Sequence, residues 1–193
     1  MELKGILKDL KTTSYSDDAT NELTSKLLNI NLDSSYYLLL LVGPYQKEKR
    51  KYLARLSEEF KQKITHIDLK EIITNDELET ANKTDSLFDN LPNESKILFF
   101  SNADYLCGAY TGYTYSSQRY ATPQERYLLQ KLDKIEKIVI FDIQDPYNID
   151  ATMRRFAHHA ILFDKPKNFL SKLTWKLGSI TFHGHQFETQ RPA

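Results

Sequence analysis

A single cysteine, Cys107, stands among the 193 residues. It excludes an internal disulfide and suits a reducing compartment. No sign of charge is in excess: 26 lysines and arginines face 26 aspartates and glutamates. No overall field therefore draws the chain to nucleic acid or to an anionic membrane. Long apolar runs are missing too, because the longest, Tyr36 to Val42, falls far short of the roughly 20 residues that a bilayer-spanning helix needs. The opening Met1-Glu-Leu-Lys-Gly lacks the charged and then apolar pattern of a secretory signal. The expectation is a cytoplasmic protein with neither membrane nor nucleic acid as a partner. No internal repeat, low-complexity tract or linker divides the chain. Its 40% hydrophobic and 27% charged residues are values of a folded soluble domain, and its length suits one core.

What is present is an alternation of strands and helices. Leu3, Ile6, Leu7 and Leu10, then Leu23, Leu27 and Leu28, fall at helical spacing. They predict two short helices joined near Ser14-Tyr15-Ser16, in an N-terminal segment of residues 1–34. Tyr36-Tyr-Leu-Leu-Leu-Leu-Val42 has no polar alternation, as expected of a strand covered on both faces of a parallel sheet. Gly43-Pro44 stops it, and Tyr52, Leu53, Leu56 and Phe60 then mark an amphipathic helix over 47–63. Further strands are predicted at 64–69, 96–100, 137–141 and 160–163, with helices around 70–90, from Pro123 to about Ile135 and over 150–158. Thr122-Pro123-Gln124-Glu125 reads as a helix start, with Thr122 as N-cap and Glu125 completing a capping box. The rhythm implies a three-layer α/β sandwich with a mainly parallel sheet over residues 35–166. A tail, 167–193, packs on that core through a helix near 169–177 and an edge strand near 179–187.

The junction after the first buried strand reads Gly43-Pro44-Tyr45-Gln46-Lys47-Glu48-Lys49-Arg50. It is similar to the phosphate-binding loop G-x-x-x-x-G-K-[ST], whose glycines let backbone N–H groups curl round phosphates. Lys96-Ile-Leu-Phe-Phe-Ser101-Asn102-Ala103-Asp104 resembles the Walker B strand of AAA+ ATPases, in the bacterial branch with an Asp-Glu-Ala-Asp sequence. Lys137 to Phe141, Asn148-Ile149-Asp150 with Arg154-Arg155, and Ile161 to Pro166 resemble that branch's sensor 1 strand, helix start, double-arginine segment and last strand. The resemblance implies a P-loop NTPase core over about 37–166. The stretch after Pro166 is expected to be too short for the helical lid that the family would place there.

The departures from the pattern imply a lost active site. Glu48 replaces the glycine before Lys49, placing a carboxylate where phosphate charge belongs; like charges at ~4 Å repel by about 1 kcal/mol even in water. Arg50 replaces the magnesium-holding hydroxyl and has no acceptor. Ser101 and Asn102 stand where the metal-ordering aspartate and water-activating glutamate belong, and Gln144 aligns with the sensor 1 asparagine. With metal and base both missing, hydrolysis is expected to be negligible. Gly43, Pro44, Lys49, Arg50, Ser101, Asn102 and Gln144 thus form a vestigial nucleotide site with no catalytic residue and no bound cofactor.

Other features have two readings each. Lys49 holds an anion or is simply solvated. Arg154 and Arg155 face a neighbouring subunit or make surface salt bridges. Asp104 is the last acid of the Walker B segment or a cap. Tyr110, Tyr113, Tyr115, Arg119 and Tyr120, in a loop at 108–121, supply interface contacts or pack on their own domain. His158-His159 and His183-Gly-His185 lack cysteine or acidic partners at ligand spacing, so no metal is expected. Cys107 reads as a small buried residue. The resulting expectation is a pseudo-ATPase that binds or scaffolds protein partners in a bacterial assembly or homo-oligomer. The ATPase branch it resembles implies a contractile injection system as a candidate host. The alternative is a subunit of a heteromeric AAA+ ring that binds ATP through Lys49 and Arg50 without hydrolysing it.

Overall fold

The computed structural model describes residue 7 and residues 9–32, 35–107, 109–110 and 119–163. Along the chain come strand β1 (Thr12–Ser14), helix α1 (Asp17–Leu28), β2 (Tyr37–Val42), α2 (Gln46–Phe60), β3 (Thr65–Asp68) and the single turn α3 (Leu69–Ile72). They are followed by α4 (Glu77–Asp89), β4 (Ile97–Ser101), β5 (Ala109–Tyr110), β6 (Arg119–Tyr120), α5 (Pro123–Leu132), β7 (Ile138–Ile143), α6 (Ala151–Phe156) and β8 (His159–Leu162). One-turn 3-10 helices lie at Ala103–Tyr105 and Pro146–Asn148. Six strands form one sheet in the order β1-β8-β2-β7-β4-β3, and every pairing in it is parallel.

The apolar runs become the central strands for the reason anticipated: both faces are covered. Leu38, Leu40, Val42, Phe100, Val139 and Phe141 pack on one side with Leu128 and Leu132 of α5 and Met153 of α6. Leu39, Leu41, Ile138, Ile140 and Ile161 pack on the other, under Leu23 and Leu27 of α1 and Tyr52 and Leu56 of α2. This is the expected three-layer α/β arrangement. Helix starts follow their capping residues. Ser16, Asp76, Thr122 and Asp150 each accept from a backbone N–H three residues on, at 3.3, 2.7, 3.1 and 2.8 Å.

Three expectations need correction. Where two N-terminal helices are expected to join, the chain forms the edge strand β1, and the described residues 7, 9 and 10 before it are turn and bend, not helix. Thr12-Thr13-Ser14 pairs with β8, and Ala160 N–H donates to the Lys11 carbonyl and Tyr15 N–H to the Leu162 carbonyl, both at 2.9 Å. The segment 108–121 is not wholly loop, because β5 and β6 form a short antiparallel pair. The Thr122 half of the expected capping box is formed, its hydroxyl accepting from Glu125 N–H, and the Glu125 side chain beside it is fully buried. Helix α5 also stops at Leu132 rather than near Ile135. Tail elements expected after residue 166, and His183 and His185, lie outside the described residues, as do residues 1–6 and 8.

Candidate functional site

Val42 ends β2, and Gly43 follows with φ of 127°, a conformation that favours glycine. A Cβ there would sit 2.6 Å from the Phe163 carbonyl oxygen, so the position also needs the missing side chain. Gly43 N–H donates to the Ile143 carbonyl at 2.9 Å, which ties the turn to β7. Pro44 is exposed. Helix α2 begins at Gln46. Only Pro44 and Tyr45 therefore separate the glycine from the helix, and Pro44 has no N–H. Lys49 N–H already donates within the helix, to the Tyr45 carbonyl at 3.2 Å.

Lys49 is neither solvated nor open to an incoming anion: it is 1% exposed. Its ammonium donates to the Asp142 carboxylate and, at 3.0 Å, to the Ile143 carbonyl. Gln46 Nε2 donates to the other Asp142 oxygen at 3.0 Å. The Phe163 ring covers the pair, with its centroid 6.0 Å from Lys49 Nζ. Burial pulls the Lys49 ammonium below the usual lysine range, against the opposing attraction of Asp142 and Asp104. An anion entering at this point has to compete with Asp142 for the lysine. Arg50, one residue on, is exposed.

Ser101 ends β4 and turns toward the sheet edge, its hydroxyl 2.8 Å from His66 Nε2. His66 is stacked on Phe99. Asn102 has left-handed backbone, φ 58°, which asparagine tolerates better than most residues. Its Nδ2 donates to Asp68 Oδ1 at 2.8 Å. That bond, with the Lys70 N–H, holds the Asp68 carboxyl below its ordinary range. Thus Ser101 and Asn102 are tied to β3, while Lys49 is tied to β7. Gln144 is exposed, and it is its backbone N–H that bonds, to Asp104 Oδ2 at 2.7 Å.

Asp104 caps across the chain. Besides Gln144 it receives Asp145 N–H at 3.1 Å and Asn148 Nδ2 at 2.7 Å. This staples the turn after β4 to the turn after β7. Each stapled turn carries an exposed tyrosine, Tyr105 at 59% and Tyr147 at 54%, and Lys70 lies over the Tyr105 ring at 5.2 Å. Of the predicted aromatic loop, Tyr120 is exposed. Tyr113, Tyr115 and the side chains of Tyr110 and Arg119 fall outside the described residues. Arg154 Nη1 reaches the Ile149 carbonyl at 3.3 Å and Arg155 Nη2 the Thr152 hydroxyl at 3.4 Å. Neither makes an ion pair among the described residues, contrary to the salt-bridge reading. Cys107 is buried, as expected. Among the described residues no cluster of three or more His, Cys, Asp or Glu could hold a metal.

The strand order from β8 through β2, β7 and β4 to β3, with Gly43 at the end of the central β2, invites comparison with nucleotide-binding α/β domains. No family model and no curated protein matches the sequence. Solved structures do. A chain of the E. coli MS115-1 HORMA:CdnC:Trip13 complex superposes with a TM-score of 0.56 at 15% identity, over 86% of this chain and 67% of that one. A point variant of Thermotoga maritima RuvB gives 0.53 at 11% identity, over 78% of this chain and 46% of RuvB. The fold is that of AAA+ P-loop NTPase domains. At these identities the likeness concerns fold alone. Gly43, Ser101 with Asn102, and Gln144 stand at the ends of β2, β4 and β7, and Lys49 lies in the helix that follows β2. Reading the sequence missed Asp142, Gln46, Tyr105 and Tyr147. Asp142 had a signal: it is the one acid in the otherwise apolar strand Ile138–Ile143.

Proposed function

We propose that this chain is a non-catalytic AAA+-like domain that binds or scaffolds other proteins within a bacterial assembly. The observation that carries the reading is the buried Lys49–Asp142 pair. The charge that would neutralise a phosphate is already neutralised by the protein, and the backbone between Gly43 and Lys49 is mostly wound into helix. A magnesium nucleotide fits this donor set poorly. Arg50 offers no oxygen, and Ser101 and Asn102 are neutral groups engaged with His66 and Asp68. Without a seated cation and a general base, neither water activation nor charge stabilisation is supplied.

Protein binding is supported by the two tyrosines that Asp104 holds on stapled turns. Exposed aromatics on a fixed backbone give contact area at low entropic cost. One of the fold neighbours was itself solved in a complex of several proteins. A contractile injection system is the assembly to which the sequence resemblance points. Affinity capture from the native host with the tagged full chain tests the reading, alongside titration of labelled ATP with magnesium. The expected result is one defined structural protein, lost in the Tyr105→Ala/Tyr147→Ala variant, and no saturable ATP binding. Micromolar ATP binding abolished by Lys49→Ala, with an intact ATPase recovered, would replace it with the ring-subunit alternative.

A further inference from the structure

Gly43 lies at the end where the parallel strands finish; the opposite end of the sheet, where they begin, carries a separate feature. There α1 stands off β1 and β8 and leaves a cleft of about 270 Å³. Leu23, Leu27 and Ile30 line one wall, and Tyr37, the first residue of β2, lines another. Lys11, Thr13, Glu22, Lys26 and His159 supply the polar lining. A small, mostly apolar cleft with a few convergent polar groups is the usual form of a small-molecule site.

The charges in the cleft are unequal. Glu22 also lines it, but its carboxylate is taken by Lys26 at 2.6 Å, one helical turn on. Lys11 has no carboxylate partner among the described residues. His159 is oriented by its Nε2, 2.7 Å from the Thr13 hydroxyl. Its pKa lies below the ordinary histidine value, through burial first and then the positive field of Lys11 and Lys26. The cleft is therefore positive at Lys11, with the charged form of the imidazole beside it disfavoured. Dense negative charge is disfavoured, because the carbonyl end of α1 borders the space and carries partial negative charge. Ala19, in the first turn of α1, also lines the cleft, but its N–H is already given to the Ser16 hydroxyl at 3.3 Å and is not free to cradle a phosphate.

We propose that this cleft is a binding site for a small organic monocarboxylate, its apolar body against Leu23, Leu27 and Ile30 and its carboxylate on Lys11 beside His159. The site lies at the other end of the sheet from the Lys49–Asp142 pair and stands or falls independently of the reading given there.

The test is an NMR titration of the full chain with 3-phenylpropionate, and with 3-phenylpropanol as the uncharged counterpart. Saturable shifts are expected at the His159 ring and at the Leu23 and Leu27 methyls, with the His159 titration midpoint moving upward as the bound anion offsets the lysine field. Loss of one charge-assisted contact in Lys11→Ala should weaken the acid about tenfold and leave the alcohol unaffected, whereas Lys11→Arg should keep most of the affinity. Lys11 is exposed, so these variants test the site rather than folding. No saturable shift with the acid would overturn the proposal. Equal binding of acid and alcohol, or an affinity that Lys11→Ala leaves unchanged, would do so as well.

Discussion

Lys49 with Asp142, and Glu125 with Asp150, are two pairs of ionisable side chains that the fold takes out of water, and each pair is made tolerable by a different means. In the first, opposite charges meet, and Gln46 and the Ile143 carbonyl occupy the remaining valences. In the second, two acids meet at the starts of α5 and α6. Asp150 uses one oxygen to cap Met153 N–H, while its Oδ2 receives no N–H from the surrounding protein. A proton shared between the two carboxyls is what can connect them. Burial first, then the Asp150 charge, pushes the Glu125 carboxyl up to about 8, with the Thr122 backbone N–H and the Arg126 charge pulling the other way. The lesson is that the Gly43 end of the sheet is locked by charge pairing, whereas the α5–α6 junction is held by a proton and so responds to pH.

The largest effect should come from breaking the charge pair on one side only. Asp142→Ala leaves Lys49 buried and uncompensated, which is expected to cost about 3–5 kcal/mol in urea unfolding. The double replacement Lys49→Met/Asp142→Leu should cost far less, because a buried ion pair is often no better than apolar groups of similar volume. If the single and double variants lose equally, the pair is not the lock described here.

Next comes the carboxyl pair. Glu125 has its folded pKa raised above the ordinary 4.5 to about 8. Its proton is bound more tightly in the folded chain than in the unfolded one. Stability is therefore highest below about 4.5 on this account and falls as pH rises toward about 8, with a limiting slope of about 1.4 kcal/mol per pH unit. Chemical denaturation across that window should show the decline in the wild type, and a flatter profile for Glu125→Gln, which stays neutral throughout. A parallel decline in both would assign the pH dependence elsewhere.

Smaller still is the cap. Thr122→Ala removes the bond to Glu125 N–H and should destabilise by about 1 kcal/mol. Least of all, Tyr105→Ala/Tyr147→Ala should change stability by no more than about 0.5 kcal/mol while abolishing capture of the partner. A large loss of melting temperature in that variant would make the tyrosines structural, not docking, residues.

Local signals carried most of this fold. The strands β2, β4, β7 and β8 were legible because each is an apolar run covered on both faces, and Gly43 and the Thr122-Pro123 start are punctuation with a mechanism. The strand β1 was not legible, since Thr12-Thr13-Ser14 is short and polar and becomes a strand only when β8 offers its free edge. Residue types also flagged the candidate site, through Glu48, Arg50, Ser101 and Asn102. They could not show that Lys49 turns inward, because its partner lies 93 positions away and the two meet only when β7 is laid beside β2. The Thr122-Pro123-Gln124-Glu125 pattern likewise could not report that tertiary packing draws the Glu125 carboxyl inward toward Asp150.

The central claim is that the anion position after β2 is already filled by the protein's own ion pair. The most direct measurement is the Lys49 ammonium resonance in a ¹⁵N-lysine spectrum of the full chain, followed as magnesium-ATP is added. The account predicts a slowly exchanging, protected signal that does not move, and that is lost in Asp142→Ala. A signal that shifts and saturates with nucleotide would mean that Lys49 leaves Asp142 for phosphate, and the account would be wrong.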